Sequence, residues 1–151
     1  QLLFRLLWTE RRRSPFLTGK MSFMQTEKRR WKKIRKAVPS IKKVWIEDLD
    51  NEEVLTRVIG ESDILVNATR AGMSPLENVM PVPEKVLRPD LAVADVVYNP
   101  KETLLVRKAK EAGCKAAVGG SGMLLWQGVA AFELFTGQEM PVEEVKEKFF
   151  Q

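Results

Sequence analysis

The sequence predicts an α/β fold, a parallel sheet with helices on both faces, and three observations predict it. Short apolar runs at Asp63–Asn67, Leu91–Val97 and Cys114–Val118 have strand length and lack the alternation of a half-solvated sheet. Segments of helical composition separate them, punctuated by glycine and proline. The chain has 151 residues and is 44% apolar, which suits one domain with an ordinary core.

From about Ala37 onward each element can be justified in turn. Asp50 caps a helix over Glu52–Ile59, with Glu53 completing a capping-box-like pair and Gly60 stopping it. The first strand, Asp63–Asn67, follows. Pro75, Pro81, Pro83 and Pro89 make the next stretch loop, with one helical turn near Glu84–Leu87. Leu91–Val97 is the second strand. Glu102–Ala112 reads as a helix that ends at Gly113 in the left-handed conformation. Cys114–Val118 is the third strand, and Cys114 itself reads as a small buried residue at its start. A glycine-rich turn leads to an apolar helix over Met123–Phe135, closed by Gly137. Pro141 then opens a last amphipathic helix in its first turn.

Composition removes whole classes of function. A single Cys excludes a disulfide scaffold and a cysteine-based zinc site. The absence of His excludes His-ligated metals and His-dependent nucleophilic triads, so no metal site is expected. The longest apolar candidate, Met123–Phe135, is broken by Gln127 and Glu133 and falls short of the ~20 residues of a membrane span. With no signal-peptide pattern either, a reducing cytoplasm is the expectation.

Charge is divided unevenly. Residues 1–45 hold fourteen Lys and Arg against Glu10 and Glu27, a net +12. The remaining residues hold 11 basic and 18 acidic side chains, a net −7. Such a step sets residues 1–36 apart from 37–151 as two regions of different character.

In a parallel sheet ligands gather at the carboxyl ends of the strands. The loops there are Asn67-Ala-Thr-Arg-Ala-Gly-Met73, Tyr98-Asn-Pro100 and Gly119-Gly-Ser-Gly-Met123, all rich in small or polar residues. Asp63-Ile-Leu-Val-Asn-Ala-Thr-Arg-Ala-Gly-Met73, Asp95-Val-Val-Tyr-Asn-Pro100 and Gly120-Ser-Gly-Met-Leu-Leu-Trp-Gln127 resemble, in order and spacing, three segments of the shikimate/quinate dehydrogenase family. The likeness covers roughly Asp48 to Val145 and continues through Ala131–Gly137.

The resemblance implies a truncated Rossmann-type domain for residues 37–151 and NADP or NAD as cofactor. It assigns Tyr98 and Gln127 to the hydroxylated ring substrate, a small molecule. Val96, Gly120 and Met123 would line the nicotinamide, with Asn67 and Thr69 nearby. Asp95 reads as a residue that fixes its loop by hydrogen bonding. Gly119 stands where the family usually has Asp, a substitution that loosens the turn.

Two family features have no counterpart in this sequence. One is the substrate domain with its Lys–Asp pair and Ser-x-Ser element, so no catalytic residue is assigned here. The other is the phosphate-binding glycine loop: Gly19 and Gly60 stand alone in the first 60 residues. Weak or absent cofactor binding and little turnover are expected of this chain alone. Without the first βα unit, apolar sheet surface is exposed, which favours aggregation or a homodimer.

The basic segment occupies the place of that missing unit. With suitably chosen codons, Gln1–Gln25 read from the third base gives Ile-Ala-Val-Gln-Ile-Ala-Leu-Asp-Gly-Ala-Lys-Glu-Ile-Thr-Ile-Phe-Asn-Arg-Lys-Asp-Glu-Phe-Tyr-Ala without a stop. That text is a helix, a glycine stop, a strand and an Asn-Arg-Lys loop resembling the family's ribose loop. Residues 1 to about 33 are therefore read as an out-of-frame translation with no selected role, poorly ordered or non-native. The competing readings are a nucleic-acid arm, from Arg11–Arg13 and Lys28–Lys33 with Trp31, and a helix lying on a membrane surface. A further reading is a subunit completed by a separately encoded substrate domain. Non-specific contact with polyanions follows from the charge in every case.

Overall fold

The computed structural model describes the backbone of residues 3–8, 43–48 and 51–150, and side chains from 51 to 150. The expected boundary at residue 36, and most of the basic segment, lie outside the described residues. The chain forms two compact units, residues 1–62 and 63–151.

In the first unit, β1 (Leu3–Trp8) pairs in parallel with β2 (Lys43–Asp48). Neither strand is among the sequence-based expectations, although Leu3-Phe-Arg-Leu-Leu-Trp8 and Val44-Trp-Ile46 are apolar runs of strand length. Helix α1 (Glu52–Gly60) follows. Its cap is Asn51 rather than Asp50: the Asn51 side chain accepts a hydrogen bond from the Val54 N–H at 3.1 Å. Gly60 belongs to the helix, and the chain leaves it at Glu61.

The second unit is a three-stranded parallel sheet in the order β3 (Ile64–Asn67), β4 (Ala92–Asp95), β5 (Ala116–Val118). Consecutive parallel strands that also neighbour in space require crossovers, and the two crossovers differ. Between β3 and β4 runs the proline-rich loop, holding one 3-10 turn at Glu84–Val86. Between β4 and β5 runs α2 (Leu104–Glu111), which packs against both strands. Two further helices follow, α3 (Ser121–Thr136) and α4 (Val142–Phe149). Helix α3 starts two residues before the expected Met123, and Pro141 sits just outside α4 as its cap.

Register sorts the strand residues onto two faces. Leu65, Asn67, Val93 and Asp95 form a buried face. Helix α2 covers this side with Leu105, Val106 and Ala109, all buried, and its cap Thr103 bonds Asp95 there. The opposite face carries Ile64, Val66 and Val118, each more than half exposed, with Ala92, Ala94 and Ala116 between them.

Helix α2 begins at Leu104, two residues after the sequence suggests, because Thr103 caps it: the Thr103 hydroxyl accepts from the Val106 N–H at 3.3 Å. It ends in a Schellman motif. The Gly113 N–H donates to the Lys110 carbonyl, the Cys114 N–H donates to the Ala109 carbonyl, and Gly113 has φ of 69°. Cys114 thereby completes the helix end, half-buried and two residues ahead of β5, instead of starting the strand. On the helix surface Lys108 bridges Glu111 and Glu84. Hydrogen bonds that Lys108 donates to these two carboxylates raise its pKa, Glu111 first and Glu84 second, and the same lysine lowers that of Glu111.

No neighbouring atom lies within 4 Å of a Cβ placed on Gly113, so Gly113→Ala tests conformation alone. Urea unfolding should show a loss of about 1–2 kcal/mol with an unchanged denaturant slope.

Candidate functional site

Asn67 and Asp95 are register partners at the ends of β3 and β4, and both side chains are buried, each 3% exposed. Two polar groups cannot stay there unsatisfied. The Asn67 Nδ2 donates to Asp95 Oδ1 at 3.0 Å and to the Ala71 carbonyl at 3.0 Å. Its Oδ1 accepts from the Thr69 N–H at 3.0 Å and from the Thr69 hydroxyl at 2.7 Å. Thr69 Oγ1 in turn accepts from the Ala71 N–H at 3.1 Å. The loop after β3 is thus folded around the amide of Asn67.

Asp95 repeats this at the end of β4. Its Oδ1 also accepts from the Val97 N–H at 2.9 Å, and its Oδ2 accepts from the Thr103 hydroxyl at 2.7 Å. Main-chain bonds then tie each loop to the next. The Val96 N–H donates to the Asn67 carbonyl at 3.0 Å, and the Gly120 N–H donates to the Val97 carbonyl at 3.0 Å.

Five of the seven residues picked out in the sequence therefore meet at one edge of the sheet. Asn67 is linked directly to Thr69 and Val96, Gly120 bonds the neighbouring Val97 carbonyl, and Tyr98 stands two residues beyond Val96 in the same loop. Met123 and Gln127 lie further along α3, spaced i and i+4 on one face of the helix and both exposed. Gln127 is about 10 Å along the helix from Gly120 by its rise alone.

Two layers result. The floor is buried and bonded within itself: both protons and both lone pairs of the Asn67 amide have partners, and the Asp95 carboxyl accepts three hydrogen bonds. Asn67 and Asp95 accordingly shape loops. The rim consists of half-buried Val96 and exposed Tyr98, and further along α3 Met123 and Gln127 are also exposed.

Gly120 is required by the backbone. A Cβ there would lie 2.2 Å from the Val96 carbonyl oxygen. Gly119 is tighter than ordinary packing, with the Lys101 carbonyl 3.2 Å from its Cβ position, while Gly122 meets nothing within 4 Å. Sequence reasoning missed Thr103 and the role of Gly72. The available signal was the preference of Thr for the position before a helix. Among the described residues no group of three or more acidic or Cys side chains is placed to hold a metal.

The profile of the shikimate 5'-dehydrogenase C-terminal domain matches residues 120–148. Shikimate dehydrogenase (NADP(+)) of Streptococcus uberis is 48% identical over 109 residues, 72% of this chain and 37% of that protein. Shikimate 5-dehydrogenase of Listeria monocytogenes, solved with shikimate and NAD, is 46% identical with a TM-score of 0.66, over 72% of this chain and 37% of that one. Quinate dehydrogenase of Corynebacterium glutamicum, solved with NAD, is 37% identical with a TM-score of 0.67, over 78% and 39% of the two chains. The chain spans well under half the length of these relatives.

The two motif glycines should separate in a stability measurement. Gly120→Ala is expected to cost about 3 kcal/mol because main chain must move. Gly122→Ala, in the open first turn of α3, should be neutral or stabilise by up to about 1 kcal/mol, both read from urea melts. Over the matched residues, the chain belongs to the shikimate/quinate dehydrogenase family.

Proposed function

We propose that residues 37–151 form the nicotinamide-facing part of an NAD(P)-dependent shikimate or quinate dehydrogenase. The observation that supports this most is the hydrogen-bonded Asn67–Asp95 floor, which brings the loop of Thr69, the loop of Val96 and Tyr98, and Gly120 to one edge of the sheet. The rim fits the nicotinamide end: apolar Val96 and Met123 suit a flat ring, and Asn67 and Thr69 form the adjoining loop. Tyr98 and Gln127 hold the ring substrate through its hydroxyls. The bound cofactor supplies hydride transfer to or from the ring carbon, giving reversible oxidation of shikimate or quinate to the 3-dehydro ketone. In this reading the chain's own residues bind and orient, and none moves the proton.

The pyrophosphate end is not provided for in the same way, since no glycine-rich phosphate loop occurs in the sequence. The chain by itself is therefore a weak cofactor binder with little or no turnover, and a separately encoded substrate domain is one route to activity. Saturation-transfer NMR with NADP+ and with NAD+ tests this. The strongest transfer should reach the nicotinamide protons and fall in Met123→Ala. Strongest transfer at adenine defeats the reading.

The +12 charge of residues 1–45 supports a second reading for that segment, a polyanion contact in the cell interior. Titration of a labelled single-stranded oligonucleotide should show binding that is independent of sequence and steeply lost with salt. The out-of-frame reading of residues 1 to about 33 is decided by the nucleotide sequence of the locus. Among the described residues no helix is long and apolar enough to cross a membrane. The exposed sheet face of Ile64, Val66 and Val118 supports self-association, with a homodimer as its simplest form.

A further inference from the structure

Thr103 lies in neither ligand-facing loop, yet it touches both. It is 1% exposed. Its hydroxyl donates to Asp95 Oδ2 at 2.7 Å and accepts from the Val106 N–H at 3.3 Å, so it joins the β4 loop to the first turn of α2. Its other side rests on the first loop. Gly72 has φ of 93°, and a Cβ on it would lie 3.1 Å from both Cβ and Cγ2 of Thr103. Asp95, held by Thr103, is also the acceptor for Asn67 Nδ2 and the Val97 N–H.

We propose that Thr103 is the positioning residue that couples the loop 67–73 to the loop 95–100, acting through Asp95. The reasoning is geometric. Asp95 Oδ1 is shared between the two loops, and the torsion of its carboxyl group decides whether both bonds to Oδ1 can form. Thr103 fixes that torsion by engaging the second oxygen. Without the hydroxyl the carboxyl can turn, and the Val97 N–H, one residue before Tyr98, loses its fixed acceptor. The relevance of these loops to substrate rests on the dehydrogenase reading, but the coupling itself does not.

Tyr98 is the sole tyrosine of the chain, which provides a direct probe. The 151-residue chain labelled with 3-fluorotyrosine should give one fluorine resonance. In Thr103→Val, with helix content retained by circular dichroism, that line should shift or split. In Thr103→Ser, which restores the hydroxyl, it should return to the wild-type position. A folded Thr103→Val with an unchanged line overturns the proposal, as does a Ser variant that behaves like Val. A role confined to stability would lower the melting temperature of Thr103→Val and leave the line of the folded protein where it was.

Hydrogen exchange in the wild type provides the test if Thr103→Val does not fold. The Thr69, Val97 and Val106 N–H groups all donate into the network and should show protection factors within about threefold of one another, as one opening unit. A spread of about tenfold or more between the two loops overturns the coupling. Adding NADP+ to the labelled wild type separates the two ideas. A line that moves with NADP+ supports the dehydrogenase reading, while the coupling through Thr103 stands or falls with the variants and the exchange.

Discussion

Everything at the carboxyl edge of the sheet depends on burying one carboxyl group. Asp95 sits almost out of contact with water, and a group of that polarity is tolerated only if its oxygens find donors. Three are supplied, by the Asn67 amide, the Val97 N–H and the Thr103 hydroxyl, and each comes from a different stretch of chain. Satisfying one residue therefore fixes three segments at once. The parallel register supplies the remaining condition, since it sets Asn67 beside Asp95 on the same face. A partial set of these bonds would be worse than apolar side chains in their place, because the unpaired partner would still be buried.

Much of this is legible in the residues alone. Glycines at 113 and 137 mark helix ends by their conformational freedom, and both adopt positive φ. Apolar runs mark the three strands, but the paired residues stop short of the runs' ends, leaving Leu91, Val96 and Val97 outside β4. What a sequence cannot disclose is partnership. Nothing about Thr103 in a line of text says that its hydroxyl meets a residue eight positions earlier, because that contact is made by the crossover geometry. The choice of Asn51 over Asp50 as cap is similar: both residue types serve, and the direction of chain entry decides. At the site, the seven named residues follow from the family likeness of three loops. The division into a bonded floor and an exposed rim needs burial and bond direction.

Helix α3 shows a different relation between sequence and surface. Leu125 and Val129 are buried, while Trp126, Leu134 and Phe135 are largely exposed. A helix apolar on every side is suited to being surrounded. In the described residues its inward face is satisfied and its outward face is not, whereas α4, rich in Glu and Lys, contributes no buried side chain. The strand face bearing Ile64, Val66 and Val118 is of the same kind. Such surface carries a cost in solubility that the well-ordered polar edge does nothing to offset.

The contact between Gly120 and Val96 divides freedom of change unequally between the two positions. Its close atoms are main-chain atoms on the Val96 side, so no exchange of side chain at position 96 can relieve a crowded position 120. Position 96 is left at liberty instead. Its side chain projects from a backbone already fixed on both flanks, by the Asn67 carbonyl before and the Gly120 N–H after. A protein built this way can vary the size and polarity presented to a ligand at that point while keeping the frame intact. The same frame could thus be retuned for a different ring without refolding the loops that hold it.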